Sequence, residues 1–392
     1  MKLQPVALNE RIEAIDLMRG FSLLGILLIN MLAFHSPFSY VDPYTWFSSP
    51  GDAEVFGFLD IFVQASFYPL FSMLFGYGLA MQFMRAEQRR VPFTPTALKR
   101  LVILLAFGIV HAFFIWYGDI LITYAIMGFL LLGMLKLPPA WLASLGVLIY
   151  TVPHLFLLAI MFIAVAVDPN FYTGMQEVQS SLAAYPTGTF AEIFSQRLQD
   201  WLYSNNAANY IILIATILPF TMVGAAAAKW QLIERTKQYR KLWIALAIVP
   251  LVIGFLLKST PYLFDKNYAW VYVQDIFGGP LIAIGYAAII ALAAQHVRVM
   301  NLLRPVAKAG RMSMTTYLSQ SVIATLIFYS YGLGLYGQVD LLTGTLIALG
   351  IFVIQLIFAE LWLSKFTQGP VEWLWRRMAY GRNFEKRDNS KQ

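Results

Sequence analysis

AWLASLGVLIYTVPHLFLLAIMFIAVAV, residues 140–167, contains no Asp, Glu, Lys or Arg. A helix needs about 20 predominantly apolar residues to cross the hydrocarbon of a bilayer, so this stretch can span with some tilt. Comparable stretches precede it at 17–36, 55–84, 97–117 and 119–135, and follow it at 208–228, 242–257, 276–295, 312–335 and 341–363. Ten crossings put both termini on one side. With the N-terminus in the cytoplasm, Arg85, Arg89, Arg90, Lys99 and Arg100 share one inside loop, and Lys229, Arg235, Lys237, Arg240 and Lys241 share a second. A third holds Arg298, Arg304, Lys308 and Arg311. Of the 28 Lys and Arg, only Arg197, Lys258 and Lys266 fall outside. The positive-inside rule demands this asymmetry of a correct span count, because one missed helix would invert half the loops. The expected fold class is all-α: a polytopic membrane helix bundle of about ten transmembrane helices, both termini cytoplasmic, with residues 1–392 forming a single domain.

Composition narrows the function. At 59% hydrophobic and 12% charged residues, the chain carries too few charges for a soluble protein of 392 residues. The net charge of +7 is scattered over loops, which suits anionic lipid and argues against nucleic acid as a partner. Cysteine is absent, which excludes disulfides, thiolate metal sites and a cysteine nucleophile; no metal is expected. Lys2 and Arg11 precede the first apolar run, but no small-residue cleavage motif follows it, so it reads as a retained span.

Two elements do not span. In the external loop at 168–207, Thr189-x-x-Glu192 has capping-box spacing, and Phe190, Ile193, Phe194, Leu198, Trp201 and Leu202 recur at helical intervals. An amphipathic helix is expected there, lying on the outer surface. The cytoplasmic tail at 364–392 carries Trp373, Trp375, Arg376, Arg377 and Tyr380 after Gly369-Pro370, an interfacial anchoring pattern.

An ionisable group at the centre of a span costs about 2.5 to 3.5 kcal/mol on insertion scales, so those within spans point to function. Asp60 falls in the outer part of the second span, His111 in the outer half of the third, and Asp119 at the start of the fourth. Structural roles compete with functional ones. Asp119 and Asp275 are placed to cap helices, Glu360 to pair with tail arginines, and His154 to satisfy a carbonyl freed by Pro153. Arg100 and His111 lie eleven residues apart, as do Arg19 and Asn30. Eleven steps of about 100° return to nearly the same helix face, about 16 Å along the axis. An Arg at the inner edge suits phosphate, and a His farther along suits proton transfer.

Five stretches resemble the bacterial YeiB-like membrane family (domain of unknown function 418). They are Arg11-Ile-Glu-Ala-Ile-Asp16-Leu-Met-Arg19-Gly20 running on to Asn30; Phe71-Ser-Met-Leu-Phe75-Gly76-Tyr77-Gly78; and His111 followed by Gly118-Asp119. The fourth runs from Gly310-Arg311-Met-Ser313 through Thr316-Tyr317 to Gln320-Ser321, and the fifth from Gly369-Pro370 through Glu372-Trp373 to Trp375-Arg376. The opening Asp-x-x-Arg-Gly is in turn similar to that of membrane acyltransferases, which carry an acyl group from cytoplasmic acyl-CoA to an acceptor across the membrane. In those enzymes the position matching Asn30 is a catalytic histidine, and Asn cannot serve as a base.

The resemblance implies an enzyme of the bacterial inner membrane with acyl-CoA as donor and a small molecule or glycan as acceptor. Arg19, Arg100 and Lys99 would hold the donor phosphates, and His111 would act as base, oriented by Asp60 or Asp119. Asn30 would donate to the oxyanion, and Ser313, Thr316, Tyr317 and Gln320 would line the cavity or serve as helix-packing groups. A transporter is the alternative, with Asp60, His111 and Asp119 as a proton or substrate relay and helix breaks at Gly278-Gly279-Pro280 or Pro219. No inverted repeat supports it. A scaffold or sensor without turnover is the third reading.

Overall fold

The computed structural model describes residues 11–168 and 178–381, which form helices and connecting turns without a strand. Hydrocarbon offers a backbone amide no water, so spanning segments must bond internally as helices. The first six are α1 (Glu13–His35), α2 (Asp52–Phe62), α3 (Phe67–Gln88), α4 (Thr94–Phe114), α5 (Leu121–Met134) and α6 (Pro139–Val167). Then come α7 (Val178–Thr187), α8 (Phe190–Ser204), α9 (Ala207–Lys229), α10 (Arg240–Lys258) and α11 (Tyr268–Ala293). The series continues with α12 (Arg304–Arg311), α13 (Ser313–Phe328), α14 (Leu341–Lys365) and α15 (Pro370–Tyr380).

Among the described residues, eight segments are long and apolar enough to cross a membrane: α1, α2 with α3, α4, α6, α9, α10, α11 and α14. This is a multi-pass helical membrane protein. The expected spans at 119–135 and 312–335 are shorter as helices, at 14 residues for α5 and 16 for α13. Past Phe328 the chain folds back: Gly334 and Gly337 take φ of 67° and 73°, and the Leu333 and Tyr336 amides donate to Leu326 and Phe328 carbonyls. The stretch 55–84 is likewise not one helix, because Val63–Ser66 interrupts it and Ala65 is left-handed at φ 55°.

α1 is the hub, packing against α3, α11, α12, α13 and α14. Its apolar window is 61% buried, against 11% for the peripheral α6, whose Phe156 and Ile163 are left for lipid. Glycine sets how closely α1 meets α12. A Cβ on Gly310 would lie 1.9 Å from the Asp16 carbonyl oxygen, and one on Gly20 would lie 2.0 Å from that of Val306. The two backbones therefore touch, bringing Asp16, Arg19 and Arg311 to one end of the bundle.

α8 begins with the expected capping box: the Glu192 amide donates to Thr189 Oγ1, and the Thr189 amide to the Glu192 carboxylate. Those bonds hold the Glu192 carboxyl below its ordinary range. Its polar stripe sets its orientation. Phe190, Leu198 and Leu202 are exposed, and the inward face buries Gln196, Arg197 and Asp200 beside Ile193.

Candidate functional site

At the arginine-rich end of the bundle a cavity of about 310 Å³ opens among α1, α3, α4, α13 and α15. Its mouth is cationic. Arg11, Arg19, Arg85, Arg89, Arg100, Arg311 and Arg376 line it, against the carboxylates of Asp16 and Glu372. Its depth is apolar, walled by Ile26, Phe71, Leu74, Phe75, Leu104, Ile120, Leu121, Tyr124 and Tyr317.

Both carboxylates are engaged by the protein itself. Asp16 accepts from Arg11 Nε and Nη2 at 3.0 and 2.8 Å, and from Arg19 Nη1 at 3.4 Å. Glu372 reaches from α15 to the start of α13, accepting from the Met314 and Thr315 amides at 2.7 and 3.1 Å and from Thr315 Oγ1 at 2.6 Å. Arg100 Nη1 donates to Gln82 and, at 2.7 Å, to the Tyr380 hydroxyl, and its guanidinium sits 4.3 Å over the Trp375 ring. Burial, with Arg11 and Arg100 nearby, pushes the Arg376 guanidinium down to about 10. Crowded like charge of this kind is what an anionic ligand relieves.

Beyond the apolar end stands a buried pair. His111 Nδ1 lies 2.8 Å from Asp119 Oδ1 with both side chains fully buried, and Asp119 Oδ2 accepts the Ile122 amide at 2.7 Å. Asp119 thus ties down the first turn of α5 and orients the imidazole at once. A carboxylate on Nδ1 selects the tautomer with Nδ1–H, leaving Nε2 as the basic nitrogen. Gly108 permits the approach, since a Cβ there would meet the Ile122 nitrogen at 2.6 Å. The His111 ring is 5.2 Å from that of Tyr317, which forms the cavity's end wall and donates to the Gly118 carbonyl at 3.3 Å.

Of the residues singled out in the sequence, Arg19, Arg100, Ser313 and Tyr317 line the cavity, and Asp119 meets His111. Lys99 is exposed on the neighbouring face of α4, and half-buried Asn30 does not line the cavity. Thr316 and Gln320 are buried as packing groups: Thr316 donates to the Ala309 carbonyl, and Gln320 bonds Gln355 at 3.1 Å. Asp60 is not brought to His111. Its Oδ2 accepts from Tyr44 at 2.9 Å, Tyr262 at 2.8 Å and Gln274 at 2.7 Å, in a separate cluster.

That cluster includes Lys258, fully buried and 2.9 Å from Asp275. Asp275 does not cap a helix; it lies in the π-helical turn Val273–Gly278 inside α11. Glu360 pairs with Lys308 and not with a tail arginine. His154 is satisfied by Tyr272 at 2.6 Å and Thr216 at 3.1 Å.

The sequence reading missed that the tail is a cavity wall, through Trp375, Arg376 and Tyr380. It also passed over Gln82, a bare amide in an apolar run, which was a usable signal.

A helical membrane protein with an amphipathic cavity is the class these features define. Residues 227–382 match the family described as "Protein of unknown function (DUF418)". The chain is 34% identical to the "Uncharacterized protein YxaH" of Bacillus subtilis (strain 168), over 96% of both chains. It is 28% identical to the "Uncharacterized protein YeiB" of Escherichia coli (strain K12), over 94% of this chain and 96% of that one. The chain belongs to the YeiB-like DUF418 family. No solved structure matches it. Four of the five stretches that carry the family resemblance contribute lining to the cavity, and the remaining one, the third, supplies the His111–Asp119 pair behind it.

Proposed function

We propose that the protein is an acyltransferase of the bacterial inner membrane, crossing it ten times with both termini in the cytoplasm. It transfers an acyl group from cytoplasmic acyl-CoA to a small-molecule or glycan acceptor on the far side. One observation carries this reading: a cavity cationic at its mouth and apolar in its depth ends at Tyr317, against which the His111–Asp119 pair packs.

Arg19, Arg100 and Arg376 take the donor phosphates, because guanidinium forks match phosphate oxygens bidentately. The volume of about 310 Å³ lies at the small end of ligand pockets, which suits the acyl-pantetheine arm with the nucleotide left at the mouth. His111 Nε2 accepts the proton of the acceptor hydroxyl or amine, whose freed lone pair attacks the thioester carbonyl. The C–S bond then breaks, and the thiolate leaves with the proton returned from the imidazolium. Asp119 holds Nδ1–H throughout.

Calorimetric titration with acetyl-CoA tests the reading. Wild type should bind, Arg100→Ala should bind on the order of tenfold more weakly, and Arg100→Lys should recover part of the loss, since Lys lacks the fork. No binding to well-folded wild type overturns it. The transporter reading is favoured by the π-helical turn at Val273–Gly278 beside Lys258 and Asp60, since such turns gather at functional sites. It would gain from that negative result.

A further inference from the structure

The candidate base is walled off from the cavity it would serve. His111 is fully buried, its Nε2 has no hydrogen-bond partner, and it does not line the cavity. Tyr317 stands between the two: its ring lines the cavity and lies 5.2 Å from the His111 ring, centroid to centroid. General-base transfer needs about 2.6–3.2 Å between heavy atoms, or one bridging water, so no ligand in the cavity can hand a proton to a nitrogen behind that ring.

The rest of the end wall is held firmly. Ile120 and Leu121 run into Ile122, whose amide donates to Asp119 at 2.7 Å, and Tyr124 shares a 3.1 Å hydrogen bond with Ser72 while its ring stacks on Phe75. Tyr317 is held more weakly. Its hydroxyl meets the Gly118 carbonyl at 3.3 Å, beyond the roughly 2.5–3.0 Å of a good O–H···O bond. The helix that carries it is anchored separately, by Thr316 on the Ala309 carbonyl and Gln320 on Gln355. The ring can pivot about its own side-chain bonds while α13 stays in place.

We propose that Tyr317 is a door between the cavity and His111, and that it decides between the acceptor and water. Shut, it keeps water entering through the cationic mouth away from Nε2. Pushed aside by an acyl arm that reaches the end wall, it brings the thioester to the base and its acceptor. With the door removed, water takes the acceptor's part. Its oxygen bonds the thioester carbonyl carbon, the C–S bond breaks, and one water proton passes through Nε2 to the departing thiolate, leaving a carboxylic acid and the CoA thiol. This inference rests on the acyltransferase reading for the reaction, but not for the closed door itself.

Full-length protein in lipid nanodiscs would be treated with diethyl pyrocarbonate, which carbethoxylates accessible neutral imidazoles, and the four histidines read separately by mass spectrometry. Exposed His296 should react at once, and buried His35 and His154 should stay unmodified as reporters of an intact fold. His111 should react slowly in wild type and on the order of tenfold or more faster in Tyr317→Ala, as expected when a minor open state becomes the only one. Tyr317→Phe keeps the ring but loses the Gly118 bond, and should fall between them. Equal His111 rates in wild type and Tyr317→Ala overturn the door, whether both are fast or both slow. If Tyr317→Ala does not fold, Tyr317→Phe carries the test, and an unchanged rate there overturns it. Acetyl-CoA hydrolysis without acceptor should be faster in Tyr317→Ala than in wild type, a gain that a packing role would not produce. No gain in a variant that still binds acetyl-CoA overturns the door's part in choosing the acceptor. Faster His111 modification with no acetyl-CoA binding to wild type sinks the acyltransferase reading and leaves the door standing. Acetyl-CoA binding with unchanged His111 modification sinks the door alone.

Discussion

The cluster around Asp60 and the cavity mouth around Arg100 are both polar regions inside an apolar bundle, yet they treat charge in opposite ways. At the first, Lys258 meets Asp275, Asp60 receives three neutral donors, and Lys266 rests 5.3 Å over the Tyr44 ring. At the second, arginines crowd a space whose two carboxylates already serve the protein's own backbone and side chains. Balance marks a structural device, and imbalance marks the place of a ligand. Arg197 and Lys258, two basic residues expected outside the membrane, are both found fully buried.

The harshest way to break the comparison is Lys258→Met, which strands Asp275 beside Asp60. We expect a loss of about 3–5 kcal/mol, read as collapse of folded yield, with most of it recovered in Lys258→Met/Asp275→Leu. A stable single variant would show that the cluster is not balanced by its lysine. His111→Gln should instead leave the fold intact, since the amide can still donate to Asp119, while lowering turnover on the order of 10²–10⁴-fold. Full activity in that variant rules out the base.

Arg376 sharpens the comparison from the other side. Its charged form is disfavoured in the folded state, so the penalty is present in full below about 10 and fades as pH rises through that value. At neutral pH Arg376→Gln removes it, and the ligand-free melting temperature should rise by ~1–3 °C while acetyl-CoA binds more weakly. A fall in both would make Arg376 an ordinary stabilising contact. The smallest effect is expected at exposed Lys99, where Lys99→Ala should change stability by less than about 0.5 kcal/mol and leave acetyl-CoA affinity unaltered.

Hydropathy made the helices legible because the bilayer imposes a length that a sequence must display. It could not show the break at Val63–Ser66, since those residues are as compatible with a helix as with a turn until α11 packs there, with a Cβ on Gly279 only 2.5 Å from the Ala65 carbonyl oxygen. Of the pair that the eleven-residue spacing links on α4, Arg100 lines the cavity with Leu104, whereas His111 stands behind it against Tyr317. Periodicity marked α8 as a helix but carried no orientation for it, and the polar stripe faces inward. A helix over a polar interior and a helix over an apolar one have the same moment, and only the partner surface tells them apart. Asp60 and Asp119 were equivalent candidates in sequence, because which carboxylate reaches His111 depends on how helices distant in the chain assemble.

The bond from Glu372 to the start of α13 also orders events in time. Every other wall of the cavity is made from residues up to Tyr317, and α15 is translated after all of them. A ribosome-bound chain whose residues after Pro370 are still in the exit tunnel has its spans in the membrane and the mouth arginines up to Arg311 in place, but an open trough where the cavity will be. Any ligand that depends on Trp375, Arg376 and Tyr380 is refused until that helix docks, so acquisition of the binding site is uncoupled from insertion into the membrane.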